Sequence, residues 1–142
     1  MRFMMIMFPG PGAEAGAMPD EKLLAAMGQY NEELVKAGVL LGGEGLHPSA
    51  KGARVRFPGG KAAVSDGPFT EAKEVIGGFW LIQVKSKEEA IEWASRCPAS
   101  GDEMIEIRQV FETEEFAASD PTGELRKKEH ELRELTEKQH RS

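Results

Sequence analysis

The carboxylate of Asp66 stands at the end of an apolar segment, immediately before a turn that the sequence makes rigid. Gly67 can adopt backbone angles that other residues avoid, and Pro68 fixes its own φ while disfavouring helix in the residue before it. A carboxylate on such a corner can be aimed at a ligand, and it can act as a general base in proton transfer. The alternative is structural, because an aspartate in this context commonly accepts backbone N–H groups within the turn. Both interpretations stay open.

His47, just before Pro48, is a second candidate for acid–base chemistry. If the fold brings it close to Asp66, the carboxylate could orient the imidazole as part of a catalytic dyad. A histidine in a loop is also often simply solvated, and this alternative is kept. His130 and His140 lie in a highly charged C-terminal segment and are expected on the surface.

Two arginines, Arg54 and Arg108, could bind an anionic group such as a carboxylate or an enolate through paired hydrogen bonds. The competing interpretation is a cross-strand ion pair with Glu44 or Glu106. Three more residues are candidates for ligand binding: Glu44, Phe69 and Trp80. The alternative is that Glu44 forms an ion pair and that the two aromatic side chains pack in the core or form the wall of the cleft.

Lys73 and Glu74 follow the corner and are expected to anchor its loop through ion pairs, which contribute little when exposed. No metal site is predicted, because the sequence has no cysteine pair, no His-x-His and no calcium-loop spacing of carboxylates. The glycine-rich segments lack the Lys-Ser/Thr of a phosphate-binding loop, so no cofactor is predicted either. Cys97, the single cysteine, is expected to be an inert thiol at a helix C-terminus.

The elements that position these residues indicate an α+β fold. Strands are predicted at 2–8, 39–46, 77–84 and 104–111, and a hairpin at 53–57 and 61–65. Helices are predicted at about 20–37, with Asp20 as the N-cap, and at 86–97, where Ser86-Lys87-Glu88-Glu89 fits a capping box. The segment 9–19 is predicted as a loop. The order of the predicted elements is β-α-β, inserted hairpin, β-α-β, which is a ferredoxin-like split βαβ arrangement. We assign residues 1–112 to this domain and 113–142 to a linker and a charged helix that begins at Asp120.

The strands at 2–8 and 77–84 are apolar on both faces, although two helices can cover only one face of the sheet. Leaving large apolar side chains in water costs roughly 1.5–3 kcal/mol each, and an exposed apolar sheet is an association site. We therefore expect a homodimer in which two sheets stack as a dimeric α+β barrel, with Glu106 and Arg108 at the edge of an enclosed cleft.

Composition narrows the possible partners. The chain of 142 residues carries a formal net charge of −6, which argues against binding a nucleic-acid backbone. No apolar run approaches the ~20 residues that a membrane span needs. With one cysteine there is no internal disulfide, so a reducing, cytoplasmic location is expected.

From about residue 1 to 111 the chain resembles the YCII-related (DGPF-motif) family of the dimeric α+β barrel superfamily, which implies a bacterial protein. The resemblance rests on four segments: Gly43-Glu44-Gly45-Leu46, Asp66-Gly67-Pro68-Phe69 with the following Glu71, Lys73 and Glu74, Gly77-Gly78-Phe79, and Glu106-Ile107-Arg108. In the broader family a His–Asp pair in the cleft implies acid–base chemistry. Asp66 matches the aspartate of that pair. The resemblance implies that the histidine lies in the first helix, but that helix has Tyr30 and Asn31 and no histidine.

Two functions are therefore compared. The first is a dimer that binds a small molecule in a cleft at Asp66, with cofactor-free acid–base catalysis of the lyase or elimination type as an extension. The alternative is a non-catalytic ligand-binding or regulatory module. The missing helix histidine favours it, as does the association of DGPF proteins with extracytoplasmic-function sigma factors that the resemblance implies.

Overall fold

The computed structural model describes residues 1–71 and 74–141, and it divides the chain into two compact units, Met1–Gln109 and a second unit from Val110 onward. The first unit mixes helices with antiparallel strands and is therefore α+β. Its strands are β1 (Arg2–Phe8), β2 (Leu40–Gly45), β3 (Ala53–Arg56), β4 (Ala63–Asp66), β5 (Gly78–Gln83) and β6 (Met104–Gln109). Its helices are the short α1 (Pro11–Glu14), α2 (Glu21–Lys36) and α3 (Lys87–Ser95).

The main sheet has the strand order β2-β5-β1-β6, and every neighbouring pair is antiparallel. Helices α2 and α3 bury Tyr30, Leu34, Ala90 and Trp93 in a core that also contains the inward residues of β1 and β5. The core thus lies between the helices and one face of the sheet.

N-cap residues fix where both long helices of this unit begin. The side chain of Asp20 accepts a hydrogen bond from the Leu23 N–H at 2.8 Å, which confirms the predicted N-cap of α2. Ser86 caps α3 by accepting from the Glu89 N–H at 3.1 Å. The predicted capping box is only half formed, because the Glu89 carboxylate accepts from the N–H of Lys85 instead of that of Ser86. The segment 9–19, predicted as loop, contains α1.

The other face of the sheet, which we call the open face, carries the alternate residues of each strand. On β1 the buried residues Phe3, Met5 and Met7 alternate with partly exposed ones. Cross-strand pairing places both apolar and charged residues on the open face, among them Met4, Ile6, Phe8, Phe79, Leu81, Glu44, Glu106 and Arg108. The predicted alternation of β1, β5 and β6 is therefore confirmed.

Strands β3 and β4 form a separate two-stranded sheet, the hairpin. Pro58–Gly60 closes it in a 3₁₀ turn, and Gly59 and Gly60 have φ values of +60° and +83° that only glycine adopts easily. All residues of both strands are exposed.

The second unit combines a 3₁₀ helix, Thr113–Ser119, with α4 (Glu124–His140). The predicted start of this helix at Asp120 is wrong, because the left-handed Gly123 (φ +77°) is the N-cap. Asp120 nevertheless serves the helix end: its carboxylate accepts from the N–H groups of Leu125 and Arg126 at 3.2 and 2.9 Å. Within the described part of the chain, no helix has the length and apolarity to cross a membrane.

Candidate functional site

The corner at Asp66–Phe69 is anchored by two residues, Ser49 and Glu14, that were not among the candidates predicted from the sequence. Ser49 is only 7% exposed, and its hydroxyl accepts from the Phe69 N–H at 3.0 Å. The same hydroxyl donates to the carboxylate of Glu14, which also accepts from the Ser49 N–H at 2.7 Å. The corner, the 3₁₀ turn Ser49–Lys51 and α1 are therefore joined through one serine side chain.

Gly67 packs directly on the backbone of that turn. A Cβ atom at this position would overlap the carbonyl oxygen of Ser49, so no other residue fits without moving the backbone. The Gly67 N–H donates to the Gly52 carbonyl at 3.0 Å, and the following Gly67–Pro68 peptide bond is cis. The glycine of the motif is thus required by close backbone approach.

The electrostatics of this anchor favour an ionised Glu14. Hydrogen bonds from the Ser49 hydroxyl and the Ser49 backbone N–H lower the pKa of its carboxyl from the ordinary value of 4.5. An ionised Glu14 can only accept, which leaves the Ser49 hydroxyl oxygen free to accept from Phe69. This pairing could not be predicted from the sequence, because Glu14 and Ser49 lie 35 positions apart and outside the predicted helices and strands.

Asp66 is the last residue of β4, lies opposite Ala53 and is exposed. Its carboxylate makes no hydrogen bond or ion pair with any residue in the described ranges, so the turn-anchoring interpretation is not what the structure shows. The hydrogen bonds of Ser49 and Glu14 anchor the turn instead. His47 is also exposed, and the described residues show no hydrogen bond between it and Asp66.

Arg54 contacts the aromatic residue of the motif. Its guanidinium carbon lies 3.7 Å from the centre of the Phe69 ring, which is a close cation–π contact at the base of the hairpin. Within residues 1–71 and 74–141, Arg54 forms no ion pair, with Glu44 or with any other acid. Its N–H groups therefore remain able to bind an anion.

Arg108 and Glu106 lie side by side on the open face, with a guanidinium nitrogen 3.4 Å from a carboxylate oxygen. This is the ion pair that we weighed against ligand binding, although the partners are neighbours on β6 and not cross-strand. The Arg108 side chain is 71% exposed, so the pair is weak and accessible. Glu44 is exposed opposite Phe79.

Trp80 lies on the helix-covered face and belongs to the core, not to a cleft wall. It is 8% exposed, and its indole N–H donates to the Asn31 side-chain oxygen at 2.8 Å. Its ring meets that of Tyr30 edge to face, with centroids 5.6 Å apart. Successive residues of a strand point to opposite faces, so the sequence of β5 already predicts that Trp80 lies on the other face of the sheet from Phe79 and Leu81.

The remaining candidates have structural surroundings. The Glu74 N–H donates to the Glu71 carbonyl at 2.9 Å, and Lys73 lies outside the described residues, so its anchoring role stays a prediction. Cys97 is half-buried, and burial raises the pKa of its thiol to about 11, so it is neutral at physiological pH. No group of three or more potential ligands within the described ranges is placed to hold a metal ion.

The second unit has a surface groove of its own, with a volume of about 390 Å³. Phe111 and Phe116, whose ring centroids lie 5.0 Å apart, form an apolar part of its lining together with Leu125. Its two arginines are already engaged: Arg126 with Asp120 at 3.1 Å, and Arg133 with Glu129 at 2.9 Å. This groove therefore offers no unpaired cation to a ligand.

Comparison with known proteins gives one similar protein and a family match. A protein of Rhizobium meliloti (strain 1021), named only as uncharacterized protein R00369, is 36% identical over 75 residues. The aligned segment covers 53% of this chain and 60% of that relative, so the chain spans less than two thirds of the relative's length. The family model of the YCII-related domain matches residues 1–114. The chain therefore belongs to the YCII-related domain family.

Proposed function

We propose that the protein is a homodimer of ferredoxin-like split βαβ subunits that stack their open faces and bind a small organic anion in the cleft between the sheets. The open face carries the proposal. Five large apolar side chains occupy its centre and are only partly buried: Met4, Ile6, Phe8, Phe79 and Leu81. Covering each of them fully would contribute on the order of 1.5–3 kcal/mol, which a second sheet can supply.

The strand order supports the subunit architecture. Strand β5 lies between β1 and β2, and β1 lies between β5 and β6. Each parallel pair, β1 with β2 and β5 with β6, is therefore split by one antiparallel strand, which is the split βαβ arrangement. Because both crossovers pass through α2 and α3 on one face, the opposite face is left for the partner.

We call the five apolar side chains of the open face the apolar strip. The charged residues near this strip suggest which class of ligand would bind. Arg108 borders the strip on β6, and Arg54 stands at the corner beside the exposed Asp66. A cleft with an apolar floor and arginine N–H groups at its margin favours a small carboxylate with an apolar body. The carboxylates of Glu106 and Asp66 would exclude more highly charged anions.

Binding without catalysis is supported better than acid–base chemistry. The polar residues of α2 near the expected histidine position are already used structurally: Tyr30 donates its hydroxyl proton to the Trp93 carbonyl at 2.7 Å, and Asn31 holds Trp80. Burial further raises the pKa of the Tyr30 hydroxyl, so it is a poor proton-transfer group. Asp66 stands on a rigid corner and makes no hydrogen bond or ion pair with the residues that the structure describes, so catalysis is kept as the second candidate. A regulatory role beside an extracytoplasmic-function sigma factor would use the same binding site.

Sedimentation velocity at micromolar concentration tests the dimer. The wild-type protein is expected to sediment as a dimer, and Ile6→Lys as a monomer, because a charge would be buried between the sheets. Ile91→Lys on the exposed side of α3 (44% exposed) is the matched control and should stay dimeric. A monomeric wild-type protein would contradict the proposal.

Titration with benzoate, followed by NMR of the arginine side chains, tests the ligand class. We expect saturable shifts of the Arg54 and Arg108 Nε–H signals, and affinity that falls at least about fivefold in Arg108→Gln, because a charge-assisted hydrogen bond is lost. Arg96→Gln is the control, since Arg96 is paired with Glu92 on α3 at 2.8 Å. Equal benzoate affinity in all three proteins would refute binding on the open face.

A further inference from the structure

The hairpin exposes an apolar surface that its own unit does not cover. Val55 and Val64 lie directly opposite each other and share one face of the hairpin. They are 49% and 67% exposed, and Phe57, two residues beyond Val55, is 69% exposed. The alternate face carries Arg54 and Arg56. The hairpin is therefore amphipathic, with an apolar face in solvent.

Such a hairpin has little stability of its own. A two-stranded sheet in water is marginal, and further strands or a packed surface are needed to hold it. The contacts described above are at its base, where the Gly67 N–H bonds the Gly52 carbonyl and Arg54 stacks on Phe69. The apolar pair Val55 and Val64 lies beyond these anchors, so a covering surface is needed further along the strands.

Charge identifies the kind of surface that fits. From Lys51 to Asp66, which includes both hairpin strands, the chain has one acidic residue, Asp66, and four basic ones: Lys51, Arg54, Arg56 and Lys61. The whole chain nevertheless carries a net charge of −6, so the remainder is strongly acidic. The hairpin is thus complementary in charge to the rest of another copy of the same chain.

Position points to the same partner. The hairpin segment follows β2, an edge strand whose Glu44 lies on the open face, and Leu46 after it is still bonded to the Gly77 carbonyl at 2.8 Å. A second sheet stacked on the open face would therefore approach the root of the hairpin.

We propose that the hairpin is an arm that packs its apolar face, Val55 and Val64, against a second copy of this chain at the border of the stacked sheets. This inference rests on the homodimer of the proposed function and adds a second contact region to it. In a two-fold dimer each subunit contributes one arm, so the contact occurs twice.

The double variant Val55→Ser/Val64→Ser tests the arm in the full-length protein. We expect its dimer dissociation constant, measured by sedimentation equilibrium, to rise at least about tenfold, because two buried apolar pairs are lost per dimer. Val35→Ser is the matched control, an equally exposed valine (62%) on α2, and should leave the constant unchanged. Arg56→Glu should weaken the dimer at low salt more than at high salt, as a charge contact does.

The outcomes separate the arm from the dimer itself. A wild-type dimer whose dissociation constant is unchanged in the double variant, with far-UV circular dichroism also unchanged, would refute the arm and leave the stacked sheets standing. A monomeric wild-type protein would refute both. A weakened dimer in Val35→Ser as well as in the double variant would also count against the arm, because the effect would not be local.

Discussion

At the scale of single residues, the hydrogen bonds of Ser49 hold the candidate site together. Its hydroxyl donates to the Glu14 carboxylate and accepts from the Phe69 N–H. A buried serine in this position acts as a junction between three segments that are distant in sequence. Its removal should therefore affect the corner before it affects the sheet.

We predict that Ser49→Ala lowers the free energy of unfolding by about 1–3 kcal/mol, since the Phe69 N–H loses its partner in a partly buried place. Urea denaturation measures this change. Ser65→Ala on the exposed hairpin is the control and should stay within about 0.5 kcal/mol of wild type. Equal stability of the two variants would show that Ser49 does not hold the corner.

The pH dependence of stability should report on Glu14. Its folded-state pKa lies below the unfolded value of 4.5, so its contribution is fully present above that pH and is lost as the pH falls through the lower folded-state value. Wild-type protein should therefore lose stability below about pH 4.5 more steeply than Glu14→Gln. Chemical denaturation at a series of pH values tests this, with Glu137→Gln on the exposed face of α4 as control. Parallel profiles for wild type and Glu14→Gln would contradict it.

At the scale of elements, helix α2 contains one residue that works against it. Gly28 lies in the middle of the helix, is exposed, and has nothing within 4 Å of the place a Cβ would occupy. Glycine in a helix interior costs about 0.5–1 kcal/mol relative to alanine. Nothing in the described structure requires that flexibility.

We predict that Gly28→Ala raises the free energy of unfolding by about 0.5–1 kcal/mol. Thermal denaturation should show a higher midpoint with unchanged oligomeric state. Gly38→Ala is the contrasting variant: Gly38 has φ +72° just after the helix, so alanine there should destabilise. A destabilised Gly28→Ala would mean that this helix face is covered by a partner.

The elements themselves were largely predictable, because alternation and capping act locally. The faces of β1 and β5 and the Asp20 cap followed from spacing alone. The start of α4 was missed because two signals competed: Asp120-Pro121 is a good helix start, yet the left-handed Gly123 delays it and Asp120 caps from outside.

The site was predictable only in part, and the reason is distance along the chain. The rigid corner could be inferred from Asp66, Gly67 and Pro68, whose constraints are intrinsic. The anchor of the corner could not be inferred, because the contact between Glu14 and Ser49 depends on tertiary packing that neither residue type predicts. The cation–π contact of Arg54 with Phe69 was hidden for the same reason.

At the scale of the whole molecule, the proposed dimer would make stability depend on association, because it would bury the partly exposed apolar side chains of the open face. If the dimer buries them, the thermal midpoint must rise with protein concentration, as it does for any protein whose partner binds only the folded state. We expect a clear rise between about 1 and 100 µM for wild type and none for Ile6→Lys. Differential scanning calorimetry measures both, and a concentration-independent wild-type midpoint would argue for an autonomous monomer.

The close fit of Gly67 on the Ser49–Gly52 turn has a consequence for how the protein can be altered. The Gly67 N–H donates to the Gly52 carbonyl, and this hydrogen bond closes the hairpin segment between the two glycines at its base. Because these backbone contacts lie at the two ends of the segment, we expect a grafted loop of different sequence to fold on the same base. Recognition would then change with the sequence of that loop, whereas Gly67 at its base tolerates no added Cβ atom.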